Sequence, residues 1–268
     1  MLVALATLAP IAQGSGGFVR EPDDAATNCV AENTTVCVGW AIDNIDRYVT
    51  PTLQHLEMVV LSVVFGFAIA FAMALLSHRR RWLVPGFTGV TGVLYTLPSI
   101  ALFSLLLPVT GRGTATAVIA LTLYTLQIIY RNIVTGLSNV PGEARDAGRG
   151  MGMTDRQLLW RVELPLAVPE IVAGLRIATV STVAIATLAI FAGAGGLGAE
   201  IYNNITFKTG IVVCGAIAIA MAIVLDALLF LAQARLVRWR RQTPTVAGPP
   251  GRFAGFFRRL LGPIGARP

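Results

Sequence analysis

The chain alternates between long apolar runs and short polar joints. Five of the runs reach the roughly 20 helical residues that a hydrocarbon core of about 30 Å requires. They fall at residues 56–76, 83–107, 115–133, 171–192 and 211–231. The second run carries Pro85 and Pro98, and proline kinks or breaks a helix by removing an N–H donor. The pattern predicts an all-α membrane bundle of about five transmembrane helices. Residues 1–55 precede the bundle, residues 56–233 form it, with a long connecting loop at 134–170, and residues 234–268 make a basic tail. Residues 1–11 are apolar but too short to span, and no basic residue precedes them; a signal-peptide remnant and a short interfacial helix both stay open.

Composition supports a membrane solvent. Charged residues are 13% of the 268, about half the usual share of a globular domain, and 55% are hydrophobic. Mean hydropathy is +0.70. A soluble fold of this size cannot bury that much apolar surface, whereas lipid solvates it directly. The net charge of +7 lies beside the apolar runs rather than in one patch, which argues against nucleic acid and reads as topology. One alternating set of loops, with the adjoining helix ends at Arg131 and Arg176, holds 17 basic residues and the other holds 4. That bias puts the N-terminus outside and the C-terminus in the cytoplasm of a multi-pass cell-membrane protein. Cys29 and Cys37 stand eight apart on the oxidising side, as a small disulfide loop or two free thiols. Cys214 lies in an apolar run, and no Cys/His grouping has metal-ligand spacing, so no metal is expected. Asn33-Thr34-Thr35 fits a glycosylation acceptor. In the tail, residues 243–251 are rich in Pro and Gly, and residues 252–261 mix Arg with Phe and Leu, as a membrane-surface stretch or a solvated tail.

The long loop carries the most information: NVPGEARDAGRGMGMTDRQLLWRVELPLAVP, residues 139–169. Pro141 suits the first turn of a helix, and Glu143 and Asp146 favour its positive end. Gly148, Gly150 and Gly152 weaken that helix and leave a small-residue surface. Thr154 with Gln157 makes a capping box for a second helix, whose apolar face is Leu158, Leu159 and Val162 and which Pro165 stops. The predicted shape is helix, glycine bend, helix beside the membrane. Shape alone leaves an ordinary amphipathic connector open.

The segment resembles the cytoplasmic coupling loop of binding-protein-dependent ABC importer permeases. Their pattern is E-A-A, three residues, G, nine residues, an aliphatic residue, one more, then L-P. Asp146-Ala147-Gly148 stands at E-A-A, Gly152 at the glycine, Val162 at the aliphatic position, and Leu164-Pro165 at L-P. The departures are Asp for Glu and Gly for the second Ala, and Glu143-Ala144 competes as the acidic start. The resemblance implies a type I importer fold and a short helix inserted into a cleft of a separate ATPase subunit, with contacts over residues 146–154, Met153 and Thr154 included. It also implies an ATPase dimer, a second permease subunit and an extracytoplasmic substrate-binding protein as partners, with membrane lipid around them. This chain then binds no cofactor, ATP-Mg being held by the ATPase, and is not itself an enzyme; no G-x-x-x-x-G-K-[ST] occurs in it.

Other stretches look like osmoprotectant permeases, those for glycine betaine, carnitine or choline: YTLPSIALF at 95–103, YRNIVTGL at 130–137 and GAGGLG at 193–198. Amino-acid importers, such as those for methionine, share parts of them. The candidate path and gate residues are Tyr95, Pro98, Gly193, Gly195, Gly196, Gly198 and Asp226. Tyr95, Phe103, Tyr124 and Tyr130 offer aromatic faces to a quaternary ammonium. Asp226 reads as a lone intramembrane acid with a structural hydrogen bond or a place on the path. A secondary transporter, the rival class, calls for paired intramembrane charges or broken-helix repeats.

Overall fold

The structure is a computed structural model, and it describes residues 29, 30, 33 and 36–236. The readings for residues 1–11, 243–251 and 252–261 lie outside the described residues. A short helix α1 (Val38–Asp43) and a 3₁₀ turn (Ile45–Tyr48) lead into α2 (Val49–Arg79). There follow α3 (Leu83–Thr96), α4 (Ser99–Thr110), α5 (Thr114–Ser138) and the short α6 (Gly142–Gly150). Then come the long α7 (Asp155–Ala192), α8 (Leu197–Asn203) and α9 (Lys208–Leu236). Four of these, α2 with its leading turn, α5, α7 and α9, are long and apolar enough to cross a membrane; α3 and α4 make a fifth span if taken together.

The run at 83–107, read as one long span that Pro85 or Pro98 kinks or breaks, is two helices bent by 99° at a break beside Pro98. Pro98 has no N–H to offer the preceding turn, and Leu97 is extended at φ −64°, ψ 134°. The freed carbonyl of Leu97 accepts a hydrogen bond from Tyr124 Oη at 2.5 Å, so α5 compensates the break. Pro85 sits in the first turn of α3, where its missing donor is not needed, and breaks nothing.

A correction concerns Pro165, expected to stop the helix after the loop. The chain widens instead into one π turn at Leu159–Glu163, and Pro165 falls in the first turn of the α-helix that resumes at Leu164. There its missing N–H costs no intrahelical bond. The loop helix and the fourth span are therefore one continuous helix, so a push on its start acts directly on its membrane part.

The core is organised around α5. Helices α2 and α7 pack along it, and α9 packs on α7. Small residues let the backbones approach, as expected where lipid supplies no hydrophobic drive for association. A Cβ on Gly66 of α2 would stand 2.9 Å from Thr125 Cβ, and one on Gly136 of α5 would stand 2.9 Å from Glu170 Cβ. Several polar groups in this core bond to one another or to backbone: Ser62 Oγ donates to Val118 O at 3.3 Å, and Thr91 Oγ1 donates to Gln127 Oε1. At one end, Trp40 of α1 packs edge-on against Phe207 with ring centres 4.8 Å apart, and Cys29 and Cys37 are joined as a disulfide. Asn33 accepts from Lys208 N at 3.0 Å, so its amide holds the start of α9. Arg47 pairs with Glu200 of α8 at 2.8 Å. The opposite end carries α6.

Candidate functional site

Between α5 and α7 the chain leaves the bundle and turns back through α6. Pro141 precedes the helix and Glu143 lies in its first turn. After Gly150 the backbone reverses. Gly152 takes φ +76°, a left-handed conformation that costs other residues roughly 1–2 kcal/mol, while Met153 N bonds back to Gly148 O at 3.1 Å. Thr154 then starts α7 with the expected capping box: Thr154 N donates to Gln157 Oε1 at 2.9 Å, and Gln157 N donates to Thr154 Oγ1 at 3.4 Å.

The inner face of α6 is fixed to the bundle. Gly148 is buried, and a Cβ there would stand 2.6 Å from Leu158 Cδ1 and 3.7 Å from Val162 Cγ2. Its small size is thus used within the subunit, between α6 and α7, rather than on the open surface. Leu164 is buried on the same side and Pro165 is half-buried. Beside them, Arg145 Nε donates to Glu163 Oε1 at 2.7 Å, and its Nη2 donates to Leu137 O at 2.6 Å. His78 Nε2 lies 2.9 Å from the other carboxylate oxygen. Buried Glu163 therefore joins the ends of α2, α5, α6 and α7. The sequence alone does not reveal this cluster, because Arg145 and Glu163 are 18 residues apart and show no local pattern; the one available signal is an acid standing among apolar residues at 162–169.

The outer face of α6 is free. Glu143, Asp146, Ala147 and Gly152 are exposed, and Met153 is half-buried. Asp146 is 79% exposed in its side chain, with Arg149 3.9 Å away. A short helix held rigidly on one side and open on the other is suited to transmit a push.

The residues expected on the path are dispersed. The loop at 193–198 packs inside the subunit against the start of α2. Gly196 N donates to Gln54 Oε1 at 3.0 Å, Gly195 lies against the same side chain, and Gly198 faces the Thr187 backbone. Gly196 is buried at φ +95°, and Gly193 is open beside Arg112. His55, fully buried, bonds Val183 O at 3.1 Å. Of the four aromatics, Phe103, Tyr124 and Tyr130 are buried packing residues, so they offer no free ring face; Tyr95 is 43% exposed. Pro98 is exposed at the break. Tyr95 shares a groove of ≈ 380 Å³ with Gln127, Arg131, Asn132 and Thr135 of α5.

Asp226 is not a lone acid. Arg176 of α7 grips it through two hydrogen bonds, each 2.7 Å. The guanidinium lies 5.1 Å from the Phe230 ring centre, and Gln233 Nε2 donates to Pro169 O at 3.1 Å. Arg176 is thus a partner inside a helix of 38 residues and not a topological charge at a helix end. Opposite charges in two otherwise uncharged runs were the signal that would have paired them.

Comparison with known proteins matches residues 62–242 to the family described as binding-protein-dependent transport system inner membrane component. An osmoprotectant import permease of Salmonella typhimurium is 39% identical over 199 residues, covering 72% of this chain and 93% of that protein. A carnitine transport permease of Listeria monocytogenes is 37% identical, covering 67% and 83%. A glycine betaine/carnitine/choline permease of Bacillus subtilis is 39% identical, covering 65% and 77%. Among solved structures, an inward-facing methionine ABC transporter aligns with TM-score 0.61 at 25% identity, covering 71% of this chain and 94% of that one. An amino-acid ABC transporter aligns with TM-score 0.63 at 20% identity and shares the fold. With its spans, its open loop helix and these relatives, the chain belongs to the inner membrane components of binding-protein-dependent ABC transport systems, working with an ATPase and a binding protein that are separate subunits.

Proposed function

We propose that the chain is the path-forming subunit of an importer for small osmoprotectants such as glycine betaine, carnitine or choline, driven by ATP hydrolysed on a partner dimer. The observation that carries the reading is α6: its inner face is tied to four helix ends through Gly148 and Glu163, while Asp146 and Ala147 stand open. In this reading α6, with the following turn to Thr154, enters a cleft of the ATPase. Closure of the ATPase dimer then tilts α7, whose loop part and membrane part are one helix. The charge bias supports a cytoplasmic α6, an outside N-terminus and a cytoplasmic C-terminus.

The substrate class rests on the names of the sequence relatives. The groove of Tyr95, Gln127, Arg131, Asn132 and Thr135 is chemically suited to a zwitterion, with an aromatic face for a quaternary ammonium beside a guanidinium, amides and a hydroxyl for a carboxylate. Polar side chains on a span are costly against lipid, which favours this groove as a wall of a path closed by a second permease subunit.

Ala147→Trp tests the coupling role, because it fills the open face and leaves the inner face intact. The variant is expected to insert normally and to lose ATP-dependent glycine betaine uptake. Full uptake by an assembled A147W transporter would sink the coupling assignment. Uptake of methionine but of none of the three osmoprotectants would move the substrate reading to amino acids.

A further inference from the structure

Two cavities open at the α6 end of the bundle. The first, ≈ 500 Å³, is walled by Arg79, Arg81, Arg145, Arg149 and Arg156, with Trp160 beside them. The second, ≈ 490 Å³, is largely apolar and is walled by Ala74, Val84, Pro85, Val134 and Leu137. Both are lined by His78, Arg81 and Arg145, so they adjoin.

The charges of the first cavity do not cancel. Its acids are Glu163 and Asp155, and Glu163 is already held by Arg145 and His78. Arg79, Arg81 and Arg156 make no ion pair or side-chain hydrogen bond among the described residues. Three unmatched guanidinium groups around one space suit a phosphate, whose oxygens accept their paired N–H donors.

The depth of the cavity selects among phosphates. Trp160 is half exposed and edge-on to Phe71 at 6.4 Å, and Trp82 is exposed immediately before α3. Tryptophans at the ends of spans mark the headgroup level. The second cavity runs from there along α2, α3 and α5 among apolar side chains. A free phosphate would use the arginine compartment alone; a molecule with a phosphate at one end and hydrocarbon at the other uses both.

We infer that the two cavities together hold one anionic phospholipid, with its phosphate among Arg79, Arg81 and Arg156 and its glycerol end and first acyl carbons against Ala74, Val84 and Val134. Basic pockets between spans take lipid headgroups by the same physics. The orientation proposed above enters only in naming the inner leaflet as the source, and a binding assay in detergent does not depend on it.

The experiment uses the complete transporter with its partner subunits, stripped of lipid. It is titrated with phosphatidylglycerol or with phosphatidylcholine of the same acyl chains and read by native mass spectrometry. Phosphatidylglycerol is expected to bind in preference. R79Q/R81Q/R156Q should weaken it on the order of a hundredfold, since each arginine near an anionic surface is worth about fivefold. R156Q alone, at an exposed side chain, should cost about fivefold and serves if the triple variant fails to assemble. Val84→Trp should also reduce binding with every arginine in place. Equal affinity for the two lipids, or unchanged affinity in both R156Q and V84W, would overturn the site. So would binding to the isolated chain but not to the complete transporter, which would mean that the ATPase covers the cavities. Displacement of the lipid by millimolar inorganic phosphate would identify a free anion instead.

Discussion

Helices α5 and α9 look alike in the sequence, and the fold treats them in opposite ways. Both are long apolar helices, of 25 and 29 residues. The apolar heart of α5 is 56% buried, and that of α9 is 17% buried, although α9 is the more apolar of the two. In water that order would be a contradiction. In a bilayer it is expected, because lipid solvates Ile, Val and Leu as well as a protein core does. Burial here goes to the helix with small and hydroxyl-bearing residues. α5 buries Thr116, Thr122, Thr125, Ala117, Ala120 and Gly136, which permit close approach and bond across helices. α9 presents Ile219, Ile223, Val224 and Leu228 outward, and its polar hold on α7 is Asp226 and Gln233.

The contrast can be broken by filling space on either helix. Gly66→Leu on α2 forces a side chain into Thr125 of α5, where a Cβ alone already meets the neighbour. Overpacking a well-filled core costs about 1–3 kcal/mol, and here neither backbone has room to yield. The expected result is loss of the monodisperse subunit on size-exclusion chromatography in detergent. A normal elution profile would show that α5 is not the packing centre.

A smaller effect is expected from the polar hold on α9. Asp226→Asn leaves Arg176 without its carboxylate, and a thermal shift assay should show a lower melting temperature. The double variant R176M/D226L removes both charges and should recover most of the loss, since a pair replaced by apolar groups leaves nothing unmatched. If the double variant melts no higher than D226N, the pair is needed in its own right, for example on the path. Uptake by the two variants separates those cases.

The smallest effect is expected at Gly215 of α9, where an added Cβ meets nothing within 4 Å. Gly215→Leu should change stability by no more than about 0.5 kcal/mol and leave uptake intact. A G215L variant as damaged as G66L would show that α9 is covered in the assembled transporter, most simply by a second copy of this chain.

Much of this molecule is legible along the chain because a bilayer imposes one strong local rule: about 20 apolar residues in a row. That rule places the helices α2, α5, α7 and α9, and Arg placement proposes their sides. The capping box at Thr154 is local too, since its bonds span three residues. Proline was harder to read. Whether Pro98 breaks a span and Pro165 continues one depends on Tyr124 being in reach of Leu97 O, and on a π turn that shifts the hydrogen-bond register before Leu164. Neither is written within the few residues around the proline.

The pairing of charges was out of reach for the same reason. Arg176 meets Asp226 across 50 residues of chain, and Arg145 meets Glu163 across 18. The sequence by itself determined that the chain is a helical membrane protein and where its loop helix lies, because hydropathy and capping act between near neighbours. Only the tertiary structure decided which helix is central, which aromatics are buried, that Gly148 serves the inner face of α6, and that every arginine is not equivalent. Some arginines are spent on acids of other helices and some are left facing a cavity, and that division follows from helix packing, which brings together residues that no local pattern connects.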